Sequence, residues 1–246
     1  MTESIRPLIA GNWKMNGVSA SLDEVRRLAQ LLGGGGQRAS IAICPPATLL
    51  SALSEIAGPA GVATGGQDCH ARQSGAFTGD ISAAMLKDAG ASYVIVGHSE
   101  RRTLHGETDE LVREKAAAAL AAALKPIICV GETLDEREAG EARTVVSRQV
   151  AGSLPEGGGA LVIAYEPVWA IGTGLTPANA DIEEMHRHIR SLLGGRAAAT
   201  PILYGGSLKP ANAREILSIP DVNGGLVGGA SLIAEDFFAI ISAVPE

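Results

Sequence analysis

The chain has 246 residues, of which 46% are hydrophobic and 19% are charged, so its composition is that of a globular protein. Twenty basic against 27 acidic side chains give a formal charge of −7, which argues against a general nucleic-acid or anionic-membrane surface. Any anionic ligand is therefore bound locally. We expect residues 1–246 to form a single domain.

The sequence predicts neither secretion nor membrane insertion. Its first residues lack a basic region followed by an apolar core, and its longest apolar run, residues 116–124, is too short to span a bilayer. The three cysteines, Cys44, Cys69 and Cys129, are odd in number and show no paired spacing, which favours buried, reduced thiols. We therefore expect a cytoplasmic protein.

Eight short apolar segments recur along the chain, at residues 8–10, 41–43, 62–63, 93–96, 127–130, 161–165, 202–204 and 226–227. Stretches with helical spacing lie between them, and the first has apolar residues at Leu22, Val25, Leu28 and Leu32. Apolar strands separated by single helices need a parallel sheet that is covered by helices. Eight such units predict a closed (β/α)8 barrel of the α/β class.

An open, doubly wound sheet is the structural alternative. Its usual Gly-rich dinucleotide-binding fingerprint is missing after the first strand, where residues 11–14 read Gly-Asn-Trp-Lys, so we favour the barrel. The active site of such a barrel is built at the C-terminal ends of the strands. The residues found there are Asn12, Lys14, Gln67, His98, Glu132, Glu166, Ser207, Gly228 and Gly229.

Glu166 is the candidate base, and neutral His98 is the candidate group that polarises a carbonyl. Glu166 ends a strand and precedes Pro167, and partial burial at the rim is expected to raise its pKa, as a proton-abstracting base requires. His98 precedes a predicted helix start at Ser99 and Glu100, whose positive end disfavours protonated imidazole. A glutamate in an ordinary ion pair and a structural histidine are the alternatives when each residue is taken alone.

Lys14 and Asn12 are candidates for holding negative charge. Lys14 supplies a cation for an anionic substrate, although an isolated surface lysine commonly has no role. Asn12 can donate a hydrogen bond to a developing oxyanion or stabilise a turn. Glycine clusters after the late strands offer bare backbone N–H groups to a phosphate, although each cluster alone is typical of a turn.

No metal site and no cofactor are expected. His186 and His188 leave their helix in different directions, and the pair formed by Cys69 and His70 has no second pair at a ligand spacing. The sequence therefore predicts proton transfer without a metal.

Five motifs resemble those of the triosephosphate isomerase family. They are Ala-Gly-Asn-Trp-Lys-Met-Asn at residues 10–16, Gly-His-Ser-Glu-Arg-Arg at 97–102, the segment 164–174, Tyr-Gly-Gly-Ser at 204–207, and the segment 226–232. They occur in order over nearly the whole chain. The resemblance implies a TIM barrel that interconverts dihydroxyacetone phosphate and glyceraldehyde 3-phosphate through an enediolate, in glycolysis and gluconeogenesis.

The same resemblance implies a role for individual residues. Glu166 is the base, neutral His98 is the electrophile, and Asn12 and Lys14 hold the oxyanion. The phosphate is bound by the backbone at Gly172, Ser207, Gly228 and Gly229. Support comes from Ser99, Glu100 and Cys129. A lid that closes over the substrate and excludes water comprises Pro167, Val168, Trp169, Ala170, Ile171, Gly172, Thr173 and Gly174.

The segment 66–80 resembles the family's interdigitating loop, which implies a homodimer in which Gln67 and Thr78 approach the neighbouring subunit. Four residues depart from the family pattern: Asp68 and Asp80 in this loop, Asn223 where an aspartate often pairs with Arg190, and Pro177 behind the lid. We expect rearranged dimer contacts and a stiffened lid hinge. Because residue 223 is an asparagine, the usual ion pair of Arg190 with this position is not predicted.

Two other functions are compatible with a barrel of this kind, because fold alone never fixes function. One is another phosphosugar isomerase, and the other is a catalytically silent protein that binds phosphate. The combination of Lys14, His98 and Glu166 disfavours both, since a silent protein is free to lose its base.

Overall fold

The computed structural model describes residues 5–34, 36–171 and 177–246. Eight parallel strands pair in chain order, and the last pairs with the first, so the sheet closes into a barrel. The strands are β1 (Leu8–Asn12), β2 (Ser40–Cys44), β3 (Val62–Gly66), β4 (Tyr93–Val96), β5 (Lys125–Val130), β6 (Val162–Tyr165), β7 (Ile202–Tyr204) and β8 (Gly224–Val227). The predicted (β/α)8 TIM barrel is confirmed, and the open sheet is excluded.

Helices lie between the strands and after the last one. They are α1 (Leu22–Leu32), α2 (Leu50–Ala57), α3 (Ala83–Asp88), α4 (Ser99–His105), α5 (Asp109–Ala121), α6 (Leu134–Glu138), α7 (Ala142–Ser153), α8 (Asn179–Leu192), α9 (Pro210–Leu217) and α10 (Ala234–Ser242). None of the helices in the described part of the chain is long and apolar enough to cross a membrane.

The predicted apolar stripe of α1 is buried. Leu22, Val25, Leu28 and Leu32 are at most 7% exposed and pack in one cluster with the outer faces of β1 and β2. The helix ends at Gly33, whose φ of 63° is a left-handed conformation that glycine adopts without steric cost. Burial of this stripe holds α1 against the sheet and thereby fixes the loop that follows β1.

Alternate residues of the strands fill the inside of the barrel. Leu8 and Ala10 of β1 and Val162 and Ala164 of β6 belong to the same buried cluster. Because side chains alternate between the two faces of a strand, the next inward positions are Asn12 and Glu166. Two candidate site residues thus continue the inward-facing series at the rim of the barrel.

Closure of the barrel depends on Gly224, the first residue of β8. It pairs with Leu8, and a Cβ atom at this position would lie 1.9 Å from the carbonyl oxygen of Leu8. Its φ of 126° is in addition a conformation that side chains disfavour. Glycine is therefore required where the last strand meets the first.

Candidate active site

The carboxyl ends of the strands surround a cavity of about 580 Å³. The structure brings together most of the predicted site residues in its lining: Asn12, Lys14, His98, Glu166, Ser207, Gly228 and Gly229. The predicted Gly172 lies outside the described residues. Lys209 also lines this cavity, and sequence reasoning missed it, although its position two residues after Ser207 is a usable signal.

Glu166 and His98 form a buried pair at the bottom of the cavity. Nε2 of His98 lies 2.8 Å from Oε1 of Glu166, and both side chains are almost fully buried. The other carboxylate oxygen accepts a hydrogen bond from the backbone N–H of Ser99 at 2.9 Å. Both oxygens of the candidate base are therefore held, one of them by the first N–H group of α4.

The pKa of Glu166 differs from the expectation that burial would raise it. Burial does favour the neutral acid, but His98, the N–H of Ser99 and the charge of Lys14 outweigh it, so the pKa lies below its ordinary value. The expectation was wrong for this geometry because it counted desolvation and left out the hydrogen-bond donors. The carboxyl is thus ionised at neutral pH, as a base must be.

His98 occupies the N-cap position of α4, and its ring nitrogens have different partners. Nδ1 accepts a hydrogen bond from the backbone N–H of Glu100 at 3.2 Å, so the proton is on Nε2, where it is shared with Glu166. Burial lowers the pKa of His98, and the adjacent Glu166 carboxylate more than restores it, so the pKa is raised. The raised pKa is opposite to the effect expected from the helix start, because that expectation left out the Glu166 carboxylate. The hydrogen bond that Nδ1 accepts from the N–H of Glu100 places the proton of the neutral ring on Nε2.

Lys14 is held in the left-handed region, with a φ of 53°, which is costly for a residue with a side chain. Its N–H donates to Oδ1 of Asn12 at 3.1 Å, and its carbonyl oxygen accepts from Nε2 of Gln67 at 2.8 Å. Nζ of Lys14 forms an ion pair with Glu100 at 2.6 Å. Because Oδ1 of Asn12 is occupied, its amide nitrogen is the group left to donate to a ligand.

Cys129 lies inside the barrel next to the candidate base. It is fully buried, and burial together with the charge of Glu166 raises the pKa of its thiol well above the ordinary value. The thiol therefore stays protonated and is uncharged at neutral pH. Cys129 contacts Glu166, and the supporting role that the resemblance implies for it stays a prediction.

Ser207, Gly228 and Gly229 line the part of the cavity that is formed by the loops after β7 and β8. Gly229 begins a short 3₁₀ helix, Gly229–Leu232. The N–H and the hydroxyl of Ser231 both donate to the carbonyl oxygen of Gly228 and close this turn. Lys209, at the N-cap of α9, also lines the cavity, and its side chain is exposed.

The described part of the predicted lid begins with a 3₁₀ helix, Val168–Ala170. Nε1 of Trp169 donates to Oε1 of Glu132 at 2.9 Å, and the guanidinium of Arg137 lies 4.6 Å from the centroid of the Trp169 ring. The buried Glu132 thus anchors the first part of the lid. Gly172, Thr173 and Gly174 lie outside the described residues.

Two of the departures from the family pattern have partners within the chain. Asp68 forms ion pairs with Lys115 and Arg101 at 2.8 and 2.9 Å. Asn223 accepts a hydrogen bond from Arg190, whose charge is paired instead with Asp221 at 2.9 Å. The ion pair of Arg190 is therefore kept, with a different aspartate.

The two predicted dimer-loop residues differ in their surroundings. Gln67 turns inward, where its amide donates to the carbonyl oxygens of Lys14 and Cys44. Thr78 is exposed in the segment 66–80. Gln67 therefore holds the backbone of Lys14 within the same chain, while a role of the exposed Thr78 at an interface stays a prediction.

No group of three or more His, Cys, Asp or Glu side chains within the described ranges is arranged to hold a metal ion. The fold and the side chains gathered at its rim define a (β/α)8-barrel enzyme. Residues 7–244 match the family model described as triosephosphate isomerase. The chain belongs to the triosephosphate isomerase family.

Several proteins named triosephosphate isomerase are similar to this chain over nearly its full length. The triosephosphate isomerase of Afipia carboxidovorans is 61% identical and is covered, like this chain, over its full length. That of Hyphomonas neptunium is 57% identical over 96% of this chain and 97% of its own length. The crystal structure of triosephosphate isomerase from Bartonella henselae is 50% identical, with a TM-score of 0.90 over 97% of this chain and 99% of that one.

Proposed function

We propose that this chain interconverts dihydroxyacetone phosphate and glyceraldehyde 3-phosphate through an enediolate, with Glu166 as the base. The observation that carries this proposal is the buried contact between Glu166 and His98, 2.8 Å apart at the carboxyl ends of β6 and β4. Family membership supports the substrate, and the geometry supports the assignment of these two residues.

Proton abstraction begins from an ionised Glu166. One of its oxygens is held by the N–H of Ser99, which leaves the oxygen now facing His98 to approach a carbon of the substrate. A substrate that enters between the two side chains separates them. The carboxylate then takes a proton from one carbon and returns it to the adjacent carbon, which is general base and then general acid catalysis by one group.

Stabilisation of the enediolate comes from groups that are in place before the reaction. Neutral His98 donates its Nε2 proton to a substrate oxygen, because its Nδ1 is occupied by the N–H of Glu100. Asn12 and Lys14 line the same cavity and supply an amide nitrogen and an ammonium group as further donors. Donors fixed in a buried site stabilise developing charge without reorganisation.

The phosphate is bound at the other end of the cavity by the backbone of Ser207, Gly228 and Gly229, and by Gly172 as the resemblance implies. Backbone N–H groups bind an anion without a basic surface, which agrees with the net charge of −7. The lid, residues 167–174, then closes over the substrate and excludes water from the intermediate.

The enzyme acts as a homodimer in the cytoplasm in this proposal. The loop after β1 exposes 96% of Met15 and 69% of Val18, and Met85 of α3 is 57% exposed. We assign these exposed apolar side chains to the interface, since a surface that two chains bury between them is apolar at its centre. All three cysteines are free and buried, which agrees with a reducing compartment.

A coupled assay tests the activity. The purified chain is expected to turn over glyceraldehyde 3-phosphate, to be inhibited by a phosphate-bearing enediolate mimic, and to incorporate deuterium from D2O at the carbon that Glu166 deprotonates. Turnover of a different phosphosugar alone would identify another isomerase. Binding of the mimic without turnover would identify a silent phosphate-binding protein, and either result would overturn the proposal.

A further inference from the structure

The side chain of Gln149, on α7, is buried against the end of β5. Its Oε1 accepts a hydrogen bond from the N–H of Gly131 at 2.7 Å, and its Nε2 donates to the carbonyl oxygen of Gly131 at 3.0 Å. One amide thus binds both polar backbone groups of one residue, as a neighbouring strand would. The residue is only 7% exposed, so these bonds are made in a largely dry environment.

On the side of β4, the pairing of β5 with its neighbouring strand ends before Gly131. The register with β4 ends at the pair of Val96 and Ile128, three residues before Gly131. Gln149 takes the place of a strand at this point. Without it, a backbone N–H and a carbonyl oxygen would lose their partners, which is unfavourable for buried groups.

The backbone of Gly131 touches the backbone of the base. A Cβ atom on Gly131 would lie 1.7 Å from the carbonyl oxygen of Glu166, so only glycine permits this approach. The residues on either side of Gly131 are bonded to the same segment. The N–H of Glu166 donates to Val130 at 2.8 Å, and the N–H of Val168 donates to Glu132 at 3.1 Å.

A small cavity lies behind the base. It has a volume of about 100 Å³ and is lined by Gly131, Gln149, Glu166 and Val168, with Arg102 and Glu136 as further charged residues. Dense packing therefore does not by itself fix the segment that carries the base. The hydrogen bonds of this segment fix its position, because a void offers no packing contact that would resist its displacement.

We propose that Gln149 is a positioning residue for the isomerase reaction. It holds Gly131, and Gly131 sets the position of Glu166 relative to the substrate. This inference rests on the proposed role of Glu166 as the base. Displacing a reacting group by about 1 Å costs up to about 100-fold in rate, so a residue that touches no substrate can affect kcat strongly.

The test compares two variants of α7. Gln149→Met keeps the length of the side chain and removes both hydrogen bonds. Val150→Ala, on the same helix, removes buried apolar contacts and leaves the bonds in place. We expect Gln149→Met to lower kcat about tenfold and to weaken binding of an enediolate mimic, with the Kd for inorganic phosphate unchanged. Val150→Ala should lower Tm and keep kcat.

Gln149→Glu is the second variant, and it decides the question if Gln149→Met fails to fold. The introduced carboxyl reproduces both bonds only when it is protonated, because its hydroxyl then donates to Gly131. Its kcat relative to the parent enzyme is therefore expected to rise as the pH is lowered. The charged groups that line the same cavity, Arg102, Glu136 and Glu166, are unchanged in both proteins.

The possible results separate the two proposals. A parent enzyme without isomerase activity overturns the proposed function. An active parent enzyme, with a kcat in Gln149→Met equal to that of Val150→Ala, overturns the positioning role alone. So does a kcat of Gln149→Glu whose ratio to the parent value does not change with pH. A merely structural role would lower Tm in every variant and leave the kcat of the folded enzyme unchanged.

Discussion

Nε2 of His98 and Oε1 of Glu166 lie 2.8 Å apart, from two strands that are not neighbours in the barrel. The barrel brings them together because β4 and β6 both end at the same rim. Each residue changes the protonation of the other. The carboxylate raises the pKa of the imidazole, and the imidazole lowers the pKa of the carboxyl.

Replacing the base should abolish most of the activity. Glu166→Gln keeps the shape of the side chain and removes its ability to accept a proton, so we expect kcat to fall by about 100-fold or more. KM should change little, because the phosphate is bound elsewhere in the cavity. Steady-state kinetics measures both constants, with Glu138→Gln on the exposed face of α6 as a matched control. Full activity of Glu166→Gln would rule out the assignment.

The same substitution should change the titration of His98. The carboxylate charge that raises the pKa of His98 is removed in Glu166→Gln, while burial, which lowers the pKa, remains. The pKa of His98 is therefore expected to fall. NMR of the imidazole resonances as a function of pH measures it in the parent enzyme and in the variant. An unchanged pKa would show that the pair in the structure is not coupled in solution.

Much of this site can be predicted from the sequence, since strand ends are recognisable and their carboxyl ends must meet at one rim. Glu166 and Asn12 follow from alternation along a single strand. The lowered pKa of Glu166 and the two hydrogen bonds between Gln149 and Gly131 cannot be predicted in this way. Each depends on contacts between segments that are far apart in the chain. Helical periodicity marks Gln149 as one polar residue among the buried positions of α7, and nothing local identifies its partner.

Lys209 should assist the encounter with the substrate. It lines the cavity as a second cation beside Lys14, in a protein whose net charge is −7. We expect Lys209→Gln to lower kcat/KM roughly threefold at low salt and to make its dependence on ionic strength shallower, with kcat unchanged. Lys87→Gln, on α3, is the control. If kcat/KM of Lys209→Gln equals that of the control at every salt concentration, Lys209 has no part in substrate capture.

Thr78 should tolerate charge poorly if its loop docks on a second chain. Thr78→Arg adds a cation to an exposed position of the segment 66–80, and burying it without a partner is unfavourable. We expect the variant to sediment as a lighter species and to lose activity together with the dimer. Ser191→Arg, at an exposed position of α8, should leave both unchanged. A parent protein that sediments as a monomer would remove the homodimer from the proposal.

His186 should make the fold sensitive to mild acid. It is fully buried on α8, its Nδ1 contacts the carbonyl oxygen of Asp221 at 3.2 Å, and its ring packs edge-on against Tyr165. Burial lowers the pKa of His186 from 6.5 to about 4. The unfolded chain therefore binds a proton at this histidine as the pH falls below 6.5, while the folded protein does not bind it until about pH 4.

The free energy of unfolding consequently decreases over that window, by on the order of 2 kcal/mol between neutral pH and about pH 5. His186→Gln keeps an amide that can donate to Asp221 and removes the titration. It is expected to be less stable than the parent protein at neutral pH and to lose less stability on acidification. Urea unfolding at several pH values measures the difference in unfolding free energy between the parent protein and the variant. The carboxyl groups and His98 are common to both proteins, so their contributions to the pH dependence cancel in this difference. Parallel stability curves for the two proteins would mean that His186 titrates in the folded state as it does in the unfolded one.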